Sequence, residues 1–287
     1  MTLIQPADMS APRWWTPRGV GLLVASSLVA VALVAMPLSA GATAVQVQSH
    51  PAAVVAGAVP LHAAAAGKLP LQGCTESGTT ATCDLYAMTG TNLVLGQPIP
   101  IWGFSSSGAA ASATAPGPVL VVNQGDTVTV TLHNQLAEPV SLAFPGQPAS
   151  AFSAGLSTVA EETGAAPGTT RAYTFVAGRA GTFLYEAGHT ADGTRQVAMG
   201  LAGALVVRAA DGSAYGATAG YPSTTYDDDA VVVLSEIDPA LNAAPATFDM
   251  RNFQPAYRLI NGKPFPATDP ISTDQGHKVL LRYVNIG

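Results

Sequence analysis

The chain has 287 residues, enough for two domains of ordinary size, a formal net charge of -6 and only 10% charged residues. Beyond the extreme N-terminus no stripe of lysine and arginine runs along it, which argues against nucleic-acid binding, because that affinity rests on neutralising phosphates with basic side chains. A low-charge chain rich in Val and Thr, with 29 glycines and 22 prolines, suits β-structure with many turns.

Arg13 and Arg18 precede an apolar stretch from Val20 to Met36, and small residues then lead to Ala42-Thr43-Ala44. This is the order of an export signal with an A-x-A-like cleavage site. The apolar stretch is slightly long for a signal and slightly short for a full span, so residues 1–44 read as a signal peptide or a membrane anchor. Either reading implies a secreted or extracytoplasmic protein, membrane-bound through residues 20–36 only if the segment stays uncleaved. No adjacent arginine pair precedes the run, which fits a general secretory signal better than a twin-arginine one. Residues 45–68 are Ala/Val-rich without periodicity and read as a linker.

Export gives meaning to the two cysteines, Cys74 and Cys83. In an oxidising compartment they are expected to close a small disulfide loop ahead of the first strand, with no redox role. A metal pair is the alternative, but the surrounding Thr, Glu, Ser and Gly offer no further soft ligand.

Asp84 to Met88 is the first expected strand, and Pro98 to Trp102 the second, its prolines pointing to an edge or a strand entry. Ser105 to Ala115 reads as a small-residue loop and Val119 to Asn123 as a short apolar strand. Across the turn Gln124-Gly125-Asp126, residues 127 to 133 alternate: Val128, Val130 and Leu132 share one face, Thr127, Thr129, Thr131 and His133 the other. Residues 151–168 read as a long loop. Thr170 to Val176 alternates again, with Tyr173 and Phe175 on one face. Gly181 to Tyr185 and Gly203 to Arg208 are further strands. Seven or so short strands separated by turn signals imply a Greek-key β-sandwich over residues 69–210.

A second unit, residues 221–287, follows Tyr221-Pro222. Asp229 to Glu236 reads as a buried strand with a polar exit, Asn261-Gly262 as a tight turn, and His277 to Asn285 as a last strand. About 65 residues fall short of the roughly one hundred a sandwich needs, so the expectation is a partial second domain and a fragment of a longer reading frame.

Two stretches carry a resemblance. The first is Pro116-Gly-Pro through Gln124-Gly-Asp-Thr-Val to His133-Asn134, followed by Ser141-Leu-Ala-Phe-Pro-Gly146. The second is Gly181-Thr-Phe-Leu-Tyr-Glu-Ala-Gly-His189, followed by Met199-Gly-Leu-Ala-Gly-Ala-Leu-Val-Val207. Their order resembles the first cupredoxin domain of multicopper oxidases, and Leu259-Ile-Asn-Gly-Lys263 with Leu281-Arg-Tyr-Val-Asn285 resembles the opening of the second. The resemblance implies an all-β fold: a Greek-key cupredoxin-like β-sandwich followed by the start of a second, incomplete cupredoxin domain.

It also implies copper chemistry. In the family a type 1 copper takes electrons from substrate, and a trinuclear copper cluster between the first and last domains reduces dioxygen to water. His-x-His pairs hold that cluster, because imidazole suits copper and alternate strand residues share a face. The first domain supplies two pairs, read as His-Trp-His-Gly and His-Ser-His. Here the corresponding places hold Ala143 and Pro145, then Glu186 and Gly188, and no His-x-His occurs anywhere among the five histidines (His50, His62, His133, His189, His277). Ala and Pro cannot ligate, and Glu186 is a hard oxygen ligand poorly matched to copper. His189 is a weak substitute, since a one-residue slip along a strand turns a side chain to the other face. No cysteine lies close before Met199, the two being far upstream at 74 and 83, so Met199 is expected in the core rather than as an axial copper ligand.

His133 is expected on a polar strand surface and His277 solvated in a turn. Asp227-Asp228-Asp229 could hold a hard cation such as calcium, but reads rather as a solvated loop, since calcium needs more converging oxygens. Phe183, Tyr173 and Tyr185 read as core aromatics. No nucleophile–base pair, phosphate loop or carboxylate dyad stands out. Three functions remain. One is an exported oxidase whose copper ligands lie mostly in C-terminal cupredoxin domains missing here. The second is a non-catalytic secreted cupredoxin scaffold or protein-interaction module. The third is a membrane-held copper-handling accessory. Copper belongs to the family, and none is expected to be held by this chain alone; its expected partners are the missing C-terminal domains or another protein.

Overall fold

The computed structural model describes residues 68, 69, 72–147, 163–216 and 224–287. The export segment, the linker up to residue 67 with His50 and His62, most of the 151–168 loop and the Tyr221-Pro222 boundary lie outside these residues. Among the described residues no helix is long and apolar enough to cross a membrane.

The first hairpin pairs β1 (Thr75–Ser77) with the start of β2 (Thr80–Val94). A disulfide joins Cys74 to Cys83, with Cα atoms 4.2 Å apart, so it staples this hairpin rather than a loop ahead of the strands. β2 is 15 residues long, and its second half turns back into β3 (Gln97–Ser105). Leu95 and Gly96 both take positive φ, 51° and 81°, as the tight hairpin requires.

β4 (Leu120–Asn123) turns at Gly125 (φ +94°) into β5 (Thr127–Asn134), and the Asp126 carboxylate accepts from Asn123 N at 2.9 Å to hold the turn. β5 pairs parallel with β2 and antiparallel with β7 (Thr170–Val176). These strands form one sheet in the order β1-β2-β5-β7, with β3 on β2. The facing sheet runs β4-β9-β8-β6, with β6 (Leu142–Ala143), β8 (Gly181–Ala187) and β9 (Ala202–Arg208).

Alternation sets the core between the sheets. Val128, Val130 and Leu132 are fully buried, as are Tyr173 and Phe175 on β7, and they meet Leu120, Val122, Tyr185, Leu205 and Val207. Tyr173 and Tyr185 are therefore core residues, whereas Phe183 sits only partly buried at the core's margin.

β9 is buried on both faces except at its last residue, and a third layer explains this. β10 (Asp228–Ile237) pairs with β11 (Tyr257–Ile260) and, in parallel, with β12 (Val279–Asn285). Val231, Val233 and Val284 of this small sheet pack on Val121, Ala204 and Val206. The Asn261-Gly262 turn appears where expected, its Asn261 side chain bonded to Val233 N and Val231 O at 2.8 and 3.0 Å. All described residues fall in one compact unit, residues 54–287.

Of the acidic run at 227–229 only Asp227 is exposed ahead of the strand. Asp228 and Asp229 are 3% exposed and open β10. Asp229 pairs with Arg282 Nε at 2.7 Å and accepts from Leu69 N at 2.6 Å. Asp228 bonds His277 Nδ1 at 3.0 Å, which ties His277 to the strand and raises its pKa through that hydrogen bond. The sequence pattern missed this because three adjacent acids look solvated until an arginine 53 residues away is folded against them. His133 does lie on the polar face of β5, bonded to Asp84 Oδ1 at 2.8 Å and stacked on Tyr86.

Candidate functional site

β6 and β8 bring the two ligand-like segments together. Ala143 lies directly opposite Glu186 in their antiparallel register, and Leu142 opposite Ala187. Because Tyr185 and Ala187 point into the sandwich core, Glu186 points away from it. Gly188 follows the end of β8, and a Cβ built there would lie 2.6 Å from Ala143 Cβ. The Ser141 hydroxyl also donates to Gly188 O, and Gly188 N donates to Ser141 O at 3.3 Å. The ends of β6 and β8 are thus drawn against one another.

A cleft of about 550 Å³ opens beside this contact, with Ala143, Glu186, Gly188 and His189 on its wall. Pro145 is exposed and is not among the lining residues, because the buried Phe144 before it turns into the core against Phe175. His189 reaches the cleft by a route the strand period does not describe. β8 ends at Ala187, and His189 sits in a bend with φ +30°, in the left-handed region that non-glycine residues seldom adopt.

The rest of the wall was not foreseen. α1 (Gly193–Ala198) is too short to leave a helical period in the sequence. It is clipped in place by the buried Gln196, which donates to Glu138 Oε1 at 2.7 Å and Pro139 O at 2.8 Å, and by Arg195, 2.8 Å from Glu138. Val197 and Met199 of this segment line the cleft. Met199 is 2% exposed and its carbonyl accepts from Trp102 N at 3.0 Å, which fits a packing role. Glu236 at the end of β10, with Ile237 and Leu259, lines it too.

The donor set is ill suited to copper. Ala143 and Gly188 offer no donor, Glu186 offers hard oxygens, and His189 offers one imidazole. Among the described residues no three His, Cys, Asp or Glu side chains converge on a point. Burial holds the Glu186 carboxyl above its ordinary pKa, and His189 partly offsets the rise.

Residues 103–212 match the multicopper oxidase family model. A copper-containing nitrite reductase from Alcaligenes xylosoxydans xylosoxydans is 30% identical over 173 residues, covering 56% of this chain and 51% of that protein. Among solved structures, the blue copper oxidase from Nitrosomonas europaea superposes with a TM-score of 0.57 at 24% identity, over 72% of this chain and 61% of that one. The copper nitrite reductase from Nitrosomonas europaea superposes with a TM-score of 0.53 at 25% identity, over 72% and 67%. These likenesses establish the all-β cupredoxin fold, and the chain spans about half the length of the curated relative it matches.

Proposed function

We propose that this chain, whose residues 103–212 match the multicopper oxidase family model, is an exported multicopper-oxidase-like protein whose own residues perform no oxidase chemistry. One observation carries the reading: a Cβ at position 188 would sit 2.6 Å from Ala143 Cβ. Two of the four places that hold imidazoles in the family are thus donorless and closed on each other. Metal retention follows ligand number and geometry, so a cluster cannot be held here by this chain alone. The cupredoxin sandwich then serves as a scaffold. Its stability rests on the inter-sheet core and the Cys74–Cys83 staple, neither of which needs metal.

The partner belongs to the same reading. The relatives extend well beyond the stretch this chain matches, and the outward face of the β11-β10-β12 sheet exposes Ile260, Leu281 and Tyr283. Further cupredoxin strands, in the same or another chain, are the partner that such a face fits, since apolar sheet faces pack on other sheets.

The test is metal content. The chain from residue 45 onward is loaded with copper, dialysed, and measured by elemental analysis with a visible spectrum alongside. The expected result is a folded protein without stoichiometric copper and without a blue or trinuclear absorption. Stoichiometric copper that survives dialysis would overturn the reading.

A further inference from the structure

We propose that the cleft beside Ala143 and Gly188 binds a small organic cation, an ammonium group on an aromatic or aliphatic body, with Glu186 as its counter-charge. The volume, about 550 Å³, falls within the range of roughly 300–1,000 Å³ typical of small-molecule sites. Ile101, Val197, Met199, Ile237, Phe253 and Leu259 supply its apolar lining. Such a lining matches a hydrocarbon body rather than a hydrated ion.

The fixed side-chain charge on the cleft's lining is negative, with the imidazole of His189 beside it. Glu186 and Glu236 line the cleft, and no lysine or arginine does. Glu236 is already 3.4 Å from Arg258 Nε. Glu186 has no such partner: no hydrogen-bond donor among the described residues reaches its carboxylate, and His189 is the one charged neighbour that favours its ionised form. An ammonium carries three donors and no acceptor, which suits the Glu186 carboxylate.

The alternatives fit less well. A hard metal ion needs about six converging oxygens, and among the described residues no three metal-ligating side chains meet. An anion would face two carboxylates and no fixed positive side chain on the lining.

The experiment is calorimetric titration of the full chain with phenethylamine, the neutral phenethyl alcohol and the anionic hydrocinnamate. Phenethylamine should bind about tenfold or more tighter than the alcohol, the usual gain of a charge-assisted hydrogen bond, and hydrocinnamate should not bind. Glu186→Gln should bring the amine down to the affinity of the alcohol while leaving the alcohol unchanged. Should that variant fail to fold, amide shifts of Gly188, His189 and Thr190 in the wild-type NMR spectrum, moved by the amine and not by hydrocinnamate, carry the same information. Equal affinities for amine and alcohol, no saturable amine binding, or an amine isotherm indifferent to Glu186→Gln would each overturn the proposal. Copper retention tests the scaffold reading separately, so the two ideas fail independently.

Discussion

Gly188 is held to glycine by its neighbour. The Cβ of any other residue there would meet Ala143 Cβ at 2.6 Å and Ala143 N at 3.1 Å, and the latter cannot swing aside. Gly188→Ala should therefore cost about 1–3 kcal/mol, the usual penalty of overpacking, read as a lower urea midpoint. An unchanged midpoint would mean that the ends of β6 and β8 can separate, and room for paired imidazoles would return. Glu186 supplies a second residue-scale test, through proton linkage. Its folded pKa is raised by burial, so the folded state holds its proton more tightly than the unfolded chain does. Its contribution is then most favourable in acid and is lost as pH rises from the ordinary glutamate value through the raised one. Glu186→Gln should be more stable than wild type near neutrality, with the gap closing in acid. A pH-independent offset between the two denaturation profiles would refute this.

At the scale of elements, the buried Asp229–Arg282 pair links β10, β12 and β8. Arg282 meets Asp229 at 2.7 Å, Tyr226 OH at 3.1 Å and Thr182 Oγ1 at 3.2 Å, while Asp229 also accepts from Leu69 N. Removing one partner leaves a buried charge uncompensated, so Arg282→Met should cost about 3–5 kcal/mol and open the segment after residue 224 to protease before the sandwich unfolds. Protection equal to wild type would show that the valine contacts alone hold the third layer. This network also marks the limit of reading elements from sequence. Strands with a two-residue period, such as β5 and β7, are plain because one face must be buried. The double burial of β9 was visible only as an apolar run, and the sequence does not say what covers its second face. β6, with two residues, and α1, with six, are too short for any period. The candidate site shows the same division. Motif order identified Ala143, Glu186 and Gly188, while Glu236, Thr190 and Val197 arrive from tertiary packing that no local pattern encodes.

For the molecule as a whole, the third sheet leaves an imbalance. One face is covered by Val121, Ala204 and Val206. On β12 the opposite face presents Val279, Leu281 and Tyr283, which are 37%, 41% and 61% exposed, beside Ile260 and Phe265. β12 is also an edge of its sheet, since the order is β11-β10-β12. An apolar face next to an open edge favours association unless another layer covers it. With a net charge of only -6 spread over 287 residues, charge repulsion is a weak brake. The chain from residue 45 should therefore associate as its concentration rises in light scattering. Leu281→Lys with Tyr283→Lys should shift it to monomer without lowering its thermal midpoint, because neither side chain contributes to the buried core. A wild-type chain that stays monomeric at every concentration would show that the edge strand is shielded within the chain itself. Further cupredoxin strands would then lose the argument for their docking place.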